Sequence, residues 1–207
     1  MSLVLHHHPY SRAATVVWML EEVGQPYTLQ TVDILKGAQK SAEHLKLNPM
    51  GKLPVLVDGD TVVSETAAIG MYLADRYALG RLAPACDDPA RGAYLRWCVY
   101  APSVIEPGCL ARAAKWEFKP GAAGWGTYES IIDTLTTGLS EGPWLLGETF
   151  TMADVIVGAT VRWMLQFKMM DPTPALQGYA ERLEARPALV AATARNAAVA
   201  GELGLGR

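Results

Sequence analysis

The stretch Asn48-Pro49-Met50-Gly51-Lys52-Leu53-Pro54-Val55-Leu56, closed by Ser64-Glu65-Thr66-Ala67-Ala68-Ile69, constrains the fold more than any other part of this chain. A proline at the mouth of an apolar run removes one ladder donor, so Pro54 begins a strand or lies on a sheet edge. Asp58-Gly59-Asp60 between two β-rich runs is a hairpin signal. Ser64-Glu65-Thr66 ahead of an apolar helical pattern marks a helix start. A strand entered through proline, a tight hairpin and a helix opening on this cluster surround one small pocket. Backbone amides, one carboxylate and one hydroxyl face it.

The flanking pattern extends this unit. Leu3-Val4-Leu5 reads as a short buried strand. From Arg12 to Val23, Val16, Val17, Met19, Leu20 and Val23 recur at helical spacing, with Ser11 at the N-cap position and Gly24 as the stop. Residues 27–32 alternate like a half-buried strand, and Ala42 to Leu47 reads as a short helix ended by Asn48-Pro49. Strands at Leu53–Val57 and Thr61–Val63 and a helix at Thr66–Tyr77 complete the order β-α-β-α-β-β-α. Residues 80–89 read as a linker. Beyond it only helical patterns appear: a long one from Arg91 to about Trp116 that Pro102 and Pro107 are expected to kink or break, then four more near 128–139, 154–169, 175–185 and 188–200. The expectation is an α/β domain at 1–79, a linker at 80–89 and an all-α domain at 90–207. Thr151-Met152-Ala153-Asp154 is a capping box, with Phe150 at the staple position.

Composition narrows the partners. The 207 residues carry 18 basic and 21 acidic side chains, a net charge of -3, and neither half is basic. Nucleic acid and anionic membrane are therefore not expected as partners. Cys86, Cys98 and Cys109 are odd in number and lack metal-finger or CxxC spacing, which fits a reducing, cytoplasmic setting. No leader-like segment and no apolar run of membrane-spanning length is expected. His6-His7-His8 lacks a further ligand at suitable spacing, so no metal site is expected.

The segment from Asn48 to Ile69 resembles, closely, the glutathione-binding half of the cytosolic glutathione S-transferases. Trp144 to Thr151 looks like the matching segment of their helical domain, so the resemblance spans residues 3 to 200. It implies a thioredoxin-like N-terminal domain followed by an all-α domain, a cytoplasmic homodimer, and glutathione as co-substrate. It also implies a cis bond before Pro54. The Leu53 N–H and C=O would then pair with the cysteinyl unit of the tripeptide by strand addition. The helix opening at Thr66 offers free N–H groups and a positive dipole end to the γ-glutamyl carboxylate. The Thr66 hydroxyl adds a donor, and Glu65 is the one acid available for the ammonium. Gln39 and Lys52 are candidates for the glycine end. As a purely structural alternative, Ser64 or Thr66 caps the helix and Glu65 complements its dipole.

A free thiol has a pKa of about 8.5, so the site must favour the thiolate. Ser11 aligns with the hydroxyl used by Ser-type transferases and would donate to the bound sulfur; a helix N-terminus lowers a thiol pKa further. The competing reading makes Ser11 only a cap and Tyr10 the donor, although Tyr-type relatives carry their tyrosine nearer strand one. Ser11-Arg12-Ala13-Ala14 stands where thioredoxin-like oxidoreductases carry CxxC, which argues against disulfide exchange by a protein thiol. The second substrate is expected to be a small apolar electrophile in an interdomain cleft, with Trp97, Tyr100, Ala101, Val104, Trp116 and Trp163 as candidate walls. The expected activity is glutathione transfer to that electrophile. The rivals are other glutathione-dependent chemistry (peroxide reduction, isomerisation, dehalogenation or ether cleavage) and a noncatalytic binding module.

Overall fold

A computed structural model describes residues 3–205. Four strands form a mixed sheet in the order β2-β1-β3-β4: β1 Leu3–His7, β2 Tyr27–Thr31, β3 Val55–Asp58 and β4 Thr61–Ser64. β1 runs parallel to β2 and antiparallel to β3, and β3 antiparallel to β4. This is the thioredoxin-like arrangement expected from the order of elements. β1 is two residues longer than the Leu3-Val4-Leu5 pattern, because His7 continues the buried alternation with a fully enclosed ring.

The chain divides into two compact units. One runs to Tyr77 and takes back the chain from Arg186; the other is Ala78–Ala185. In the first, α1 (Ala13–Val23) buries Val16, Val17, Met19 and Leu20, and α3 (Thr66–Tyr77) buries Ile69 and Leu73. Between them, α2 (Ala42–Leu47) starts on Ser41, whose hydroxyl accepts from the His44 N–H. The last helix, α9 (Pro187–Glu202), packs along α1, so this unit holds the end of the chain as well as its beginning. Arg186 clamps the buried Glu22 of α1 with two bonds of 2.6 and 2.7 Å, and Trp18 donates to the same carboxylate at 2.9 Å. Three donors make a buried acid tolerable where an unpaired one would be costly.

The β3–β4 hairpin is tied to α3 in the same way. Asp58 Oδ2 accepts from Tyr72 at 2.8 Å, Tyr77 at 2.5 Å and Arg76 at 3.0 Å. Burial pushes this carboxyl up, but the two hydroxyls and the guanidinium outweigh it and hold it below the ordinary aspartate value.

The second unit is helical: α4 Arg91–Tyr100, α5 Glu106–Ala113, α6 Tyr128–Gly138, α7 Met152–Gln166 and α8 Pro174–Glu184. Of the kink or break expected at Pro102, the break does not occur, but the α-helical pattern is interrupted there. Ala101–Ile105 widens into a π-helical turn, with the Glu106 N–H reaching the Ala101 carbonyl, and joins α4 to α5. A wider turn absorbs a residue that cannot donate. α7 buries nine of its fifteen residues, and the capping box closes as expected from the Asp154 side. Asp154 accepts from the Thr151 N–H at 2.9 Å, and also from Leu145 N–H at 2.9 Å and the Tyr179 hydroxyl at 3.1 Å. No described helix is long and apolar enough to cross a membrane.

Candidate functional site

Sheet register decides which predicted residues meet. His6 of β1 stands opposite Val55 of β3, and Val55 opposite Ser64 of β4. The exits of β1 and β4 and the entrance of β3 therefore lie at one end of the sheet. His7 faces Thr31 across β1 and β2, so the segment leading to Gln39 leaves from that end too. Ser11, Gln39, Lys52, Leu53, Glu65 and Thr66 are all carried on these exits and entrances. The register gathers them although 55 positions separate the first from the last.

The Leu53–Pro54 bond is cis. Among the described residues, neither the Leu53 N–H nor its C=O has a hydrogen-bond partner. The carbonyl just before it is held firmly: Lys52 C=O accepts from the His44 ring Nε2 and from Asn48 Nδ2, each at 3.1 Å. The Asn48 side chain also accepts from the Met50 N–H at 3.1 Å. Sequence reasoning missed His44 and Asn48. Asn48 reads in sequence as a stop for α2 within this stretch, and a histidine on a short helix carries no signal of a partner eight residues on.

Gly51 has φ +58, and an added Cβ would lie 2.9 Å from the Gln39 carbonyl and 2.7 Å from Lys40 Cδ. Glycine is required there because two loops touch. Lys40 crosses the contact and donates to Met50 C=O at 2.8 Å. Gln39 sits in a short 3₁₀ turn, and its buried Oε1 has no partner among the described residues. Lys52 is exposed.

Glu65 is exposed and has φ +67, one of three non-glycine residues with positive φ in the described chain. Its carbonyl accepts the Ile69 N–H at 2.9 Å, so Glu65 holds the cap position of α3. The N–H groups of Thr66, Ala67 and Ala68 lie ahead of the first intrahelical acceptor. A left-handed glutamate costs about 1–2 kcal/mol, a cost often retained at binding sites.

Ser11 is not the cap residue of α1. That position is Arg12, which makes no side-chain cap bond. The Ser11 hydroxyl accepts from the Ala13 N–H at 3.1 Å and donates to His8 C=O at 2.8 Å. Tyr10 is 56% exposed, and its hydroxyl donates to Leu205 C=O at 2.9 Å. Burial holds His6, His7 and His8 below the ordinary histidine value; Asn196 opposes it for His7 and Asp33 for His8.

The three cysteines lie in the second unit, two of them buried, and burial pushes Cys109 up to about 11. Among the described residues no cluster of His, Cys, Asp and Glu could hold a metal.

Two family models match this chain: "Glutathione S-transferase, N-terminal domain" over residues 1–75 and "Glutathione S-transferase, C-terminal domain" over residues 110–191. Glutathione S-transferase 3 of Zea mays is 32% identical over 155 residues, covering 69% of this chain and 68% of the maize protein. A glutathione transferase structure from Methylococcus capsulatus superposes with a TM-score of 0.77 at 27% identity, covering 94% of this chain and 98% of that one. A glutathione transferase homologue from Sulfitobacter, solved with bound glutathione, gives 0.74 at 25% identity, over 94% and 98% of the two chains.

Proposed function

Because this chain belongs to the glutathione S-transferase family, we propose that it activates the thiol of glutathione for attack on a small apolar electrophile, with Ser11 as the donor to the sulfur. The observation that carries the reading is the pairing of two open recognition groups at one end of the sheet. Leu53 offers a backbone N–H and C=O, and α3 opens on Glu65 and the hydroxyl-bearing Thr66.

In this reading Leu53 pairs with the cysteinyl unit, as an added strand pairs with an edge. The α3 N-terminus and Thr66 receive the γ-glutamyl carboxylate, and Glu65 receives its ammonium. Gln39 and Lys52 stand at the glycine end. The thiol proton leaves to solvent, and Ser11 turns its O–H from the His8 carbonyl to the sulfur and holds it as thiolate. The sulfur then forms its bond to the electrophilic carbon, and the leaving group departs with the electron pair. Residues 1–79 bind the tripeptide, and the helices between residues 90 and 185 select the electrophile. The family's homodimer and a cytoplasmic setting complete the proposal; the three cysteines and the charge balance fit it.

Product analysis tests it. Purified protein with glutathione and a chloro-aromatic electrophile should yield the thioether and chloride. Turnover of hydroperoxides alone, with oxidised glutathione as the product, would replace conjugation by reduction on the same site.

A further inference from the structure

The loop that carries Ser11 is held from the far end of the chain. His7, the last residue of β1, is fully buried, and its Nε2 lies 2.7 Å from Asn196 Oδ1 on α9. The Asn196 Nδ2 donates to the Ala14 carbonyl in the first turn of α1 at 3.2 Å. An amide that donates through nitrogen to a carbonyl must present its oxygen to the ring, so His7 Nε2 carries the proton and donates. His7 Nδ1 is then a bare acceptor, and it is buried with no partner among the described residues. The His7 carbonyl is also occupied, accepting from the Val32 N–H at 2.9 Å.

One side chain thus bridges the residue where β1 ends and the turn where α1 begins. Between these two points lie residues 8–13, a loop closed by Ser11 N–H and Oγ on the His8 carbonyl and by Ala13 N–H on Ser11 Oγ. The same C-terminal segment reaches the loop's tip, where Tyr10 donates to Leu205 C=O. Beside the Arg186–Glu22 clamp at the head of α9, α1 and α9 meet through apolar packing, which tolerates small slides; an amide bridging the buried His7 ring and the Ala14 carbonyl does not.

We infer that Asn196 is a positioning residue: by pinning both ends of the residue 8–13 loop it fixes where the Ser11 hydroxyl points. The inference rests on the reading that Ser11 serves the glutathione sulfur. It makes α9 part of the site's machinery although α9 supplies no residue to the tripeptide.

The test combines two readouts on Asn196→Ala, with Asn196→Asp as a second variant that keeps the acceptor for His7 and removes the donor to Ala14. Hydrogen exchange is followed at the amides of Ser11, Ala13 and Ala14. The expected result is exchange about tenfold faster there, with Val55–Asp58 unchanged. The pH profile of kcat/KM is measured for Asn196→Ala in wild-type and Ser11→Ala backgrounds. The expected result is about a tenfold loss and a higher apparent pKa in the first background, and no further change in the second. Unchanged exchange at residues 11–14, or the same fold-loss in both backgrounds, overturns the inference. If the wild-type protein turns over no glutathione, the proposed function falls, and the exchange data alone decide the role of Asn196.

Discussion

Ser11 and His8 are joined twice: the Ser11 hydroxyl donates to the His8 carbonyl at 2.8 Å, and the Ser11 N–H reaches the same oxygen at 3.1 Å. The backbone bond anchors the turn, so the hydroxyl can leave without unravelling it. In the proposed reaction, rotation of this one side chain exchanges a carbonyl acceptor for a thiolate, the better acceptor.

Ser11→Ala therefore separates chemistry from binding. Loss of one charge-assisted donor should lower kcat by ~10²-fold and raise the apparent pKa of the profile, with KM for glutathione nearly unchanged. The Ala13 N–H also loses its acceptor, at a cost of about 1 kcal/mol in stability. Steady-state kinetics and thermal unfolding read the two effects. Unchanged kcat would remove Ser11 from the chemistry, and Tyr10→Phe would then be the informative variant.

Glu65 links strain to recognition. At φ +67 a glycine is relaxed where a glutamate is not, so Glu65→Gly should leave stability unchanged or raise it by about 1 kcal/mol. The same change removes the acceptor for the tripeptide's ammonium and should weaken glutathione binding by about 10–100-fold. Calorimetric unfolding together with ligand titration checks both. A variant that loses stability while keeping affinity would assign Glu65 a purely structural role.

Asp154 gives the pH dependence a sign. Burial pushes its carboxyl up to about 6, against the bonds from Leu145, Thr151 and Tyr179. Between about pH 4 and 6 the folded state holds a proton that the unfolded state releases, so this group's contribution is largest at low pH and falls as pH rises through that window. Asp154→Asn is pH-independent at this position and also turns an NH₂ toward donors. Its destabilisation should grow by about 1 kcal/mol from pH 8 to pH 5, measured as the difference in urea unfolding between wild type and variant. A flat difference would place the carboxyl near its ordinary value.

Two helical glycines should respond oppositely to alanine. A Cβ on Gly138 would lie 2.4 Å from Trp97 Cζ2, against a buried ring that cannot yield, so Gly138→Ala should destabilise by about 1–3 kcal/mol. At Gly178 the nearest atom is the Arg182 guanidinium tip at 3.4 Å, which can move, so Gly178→Ala should stabilise by about 0.5–1 kcal/mol. Chemical denaturation of the pair compares them directly.

Local chemistry made the hairpin at Asp58-Gly59, the proline entry at Pro54 and the Asp154 box legible, because each is written within a few residues. The same holds for the start of α3 at Thr66. Long-range closure was not legible. The partner of His7 lies 189 positions away and that of Glu22 lies 164 away, and helical periodicity reveals a buried face without naming what covers it. Pro102 shows a different limit: the missing donor was visible, but whether the helix breaks or widens depends on how α4 and α5 pack on α7. The sequence pattern puts the α1 cap at Ser11, one residue early, since an ST-type turn and an N-cap use the same side chain in nearly the same way.

The central claim is that one end of this sheet binds glutathione and ionises its thiol. Calorimetric titration with glutathione, repeated in two buffers of different ionisation enthalpy, tests it most directly. The account predicts micromolar to low-millimolar binding with release of a proton, and loss of that proton release in Ser11→Ala. Binding without proton release, or no binding at all, would contradict it.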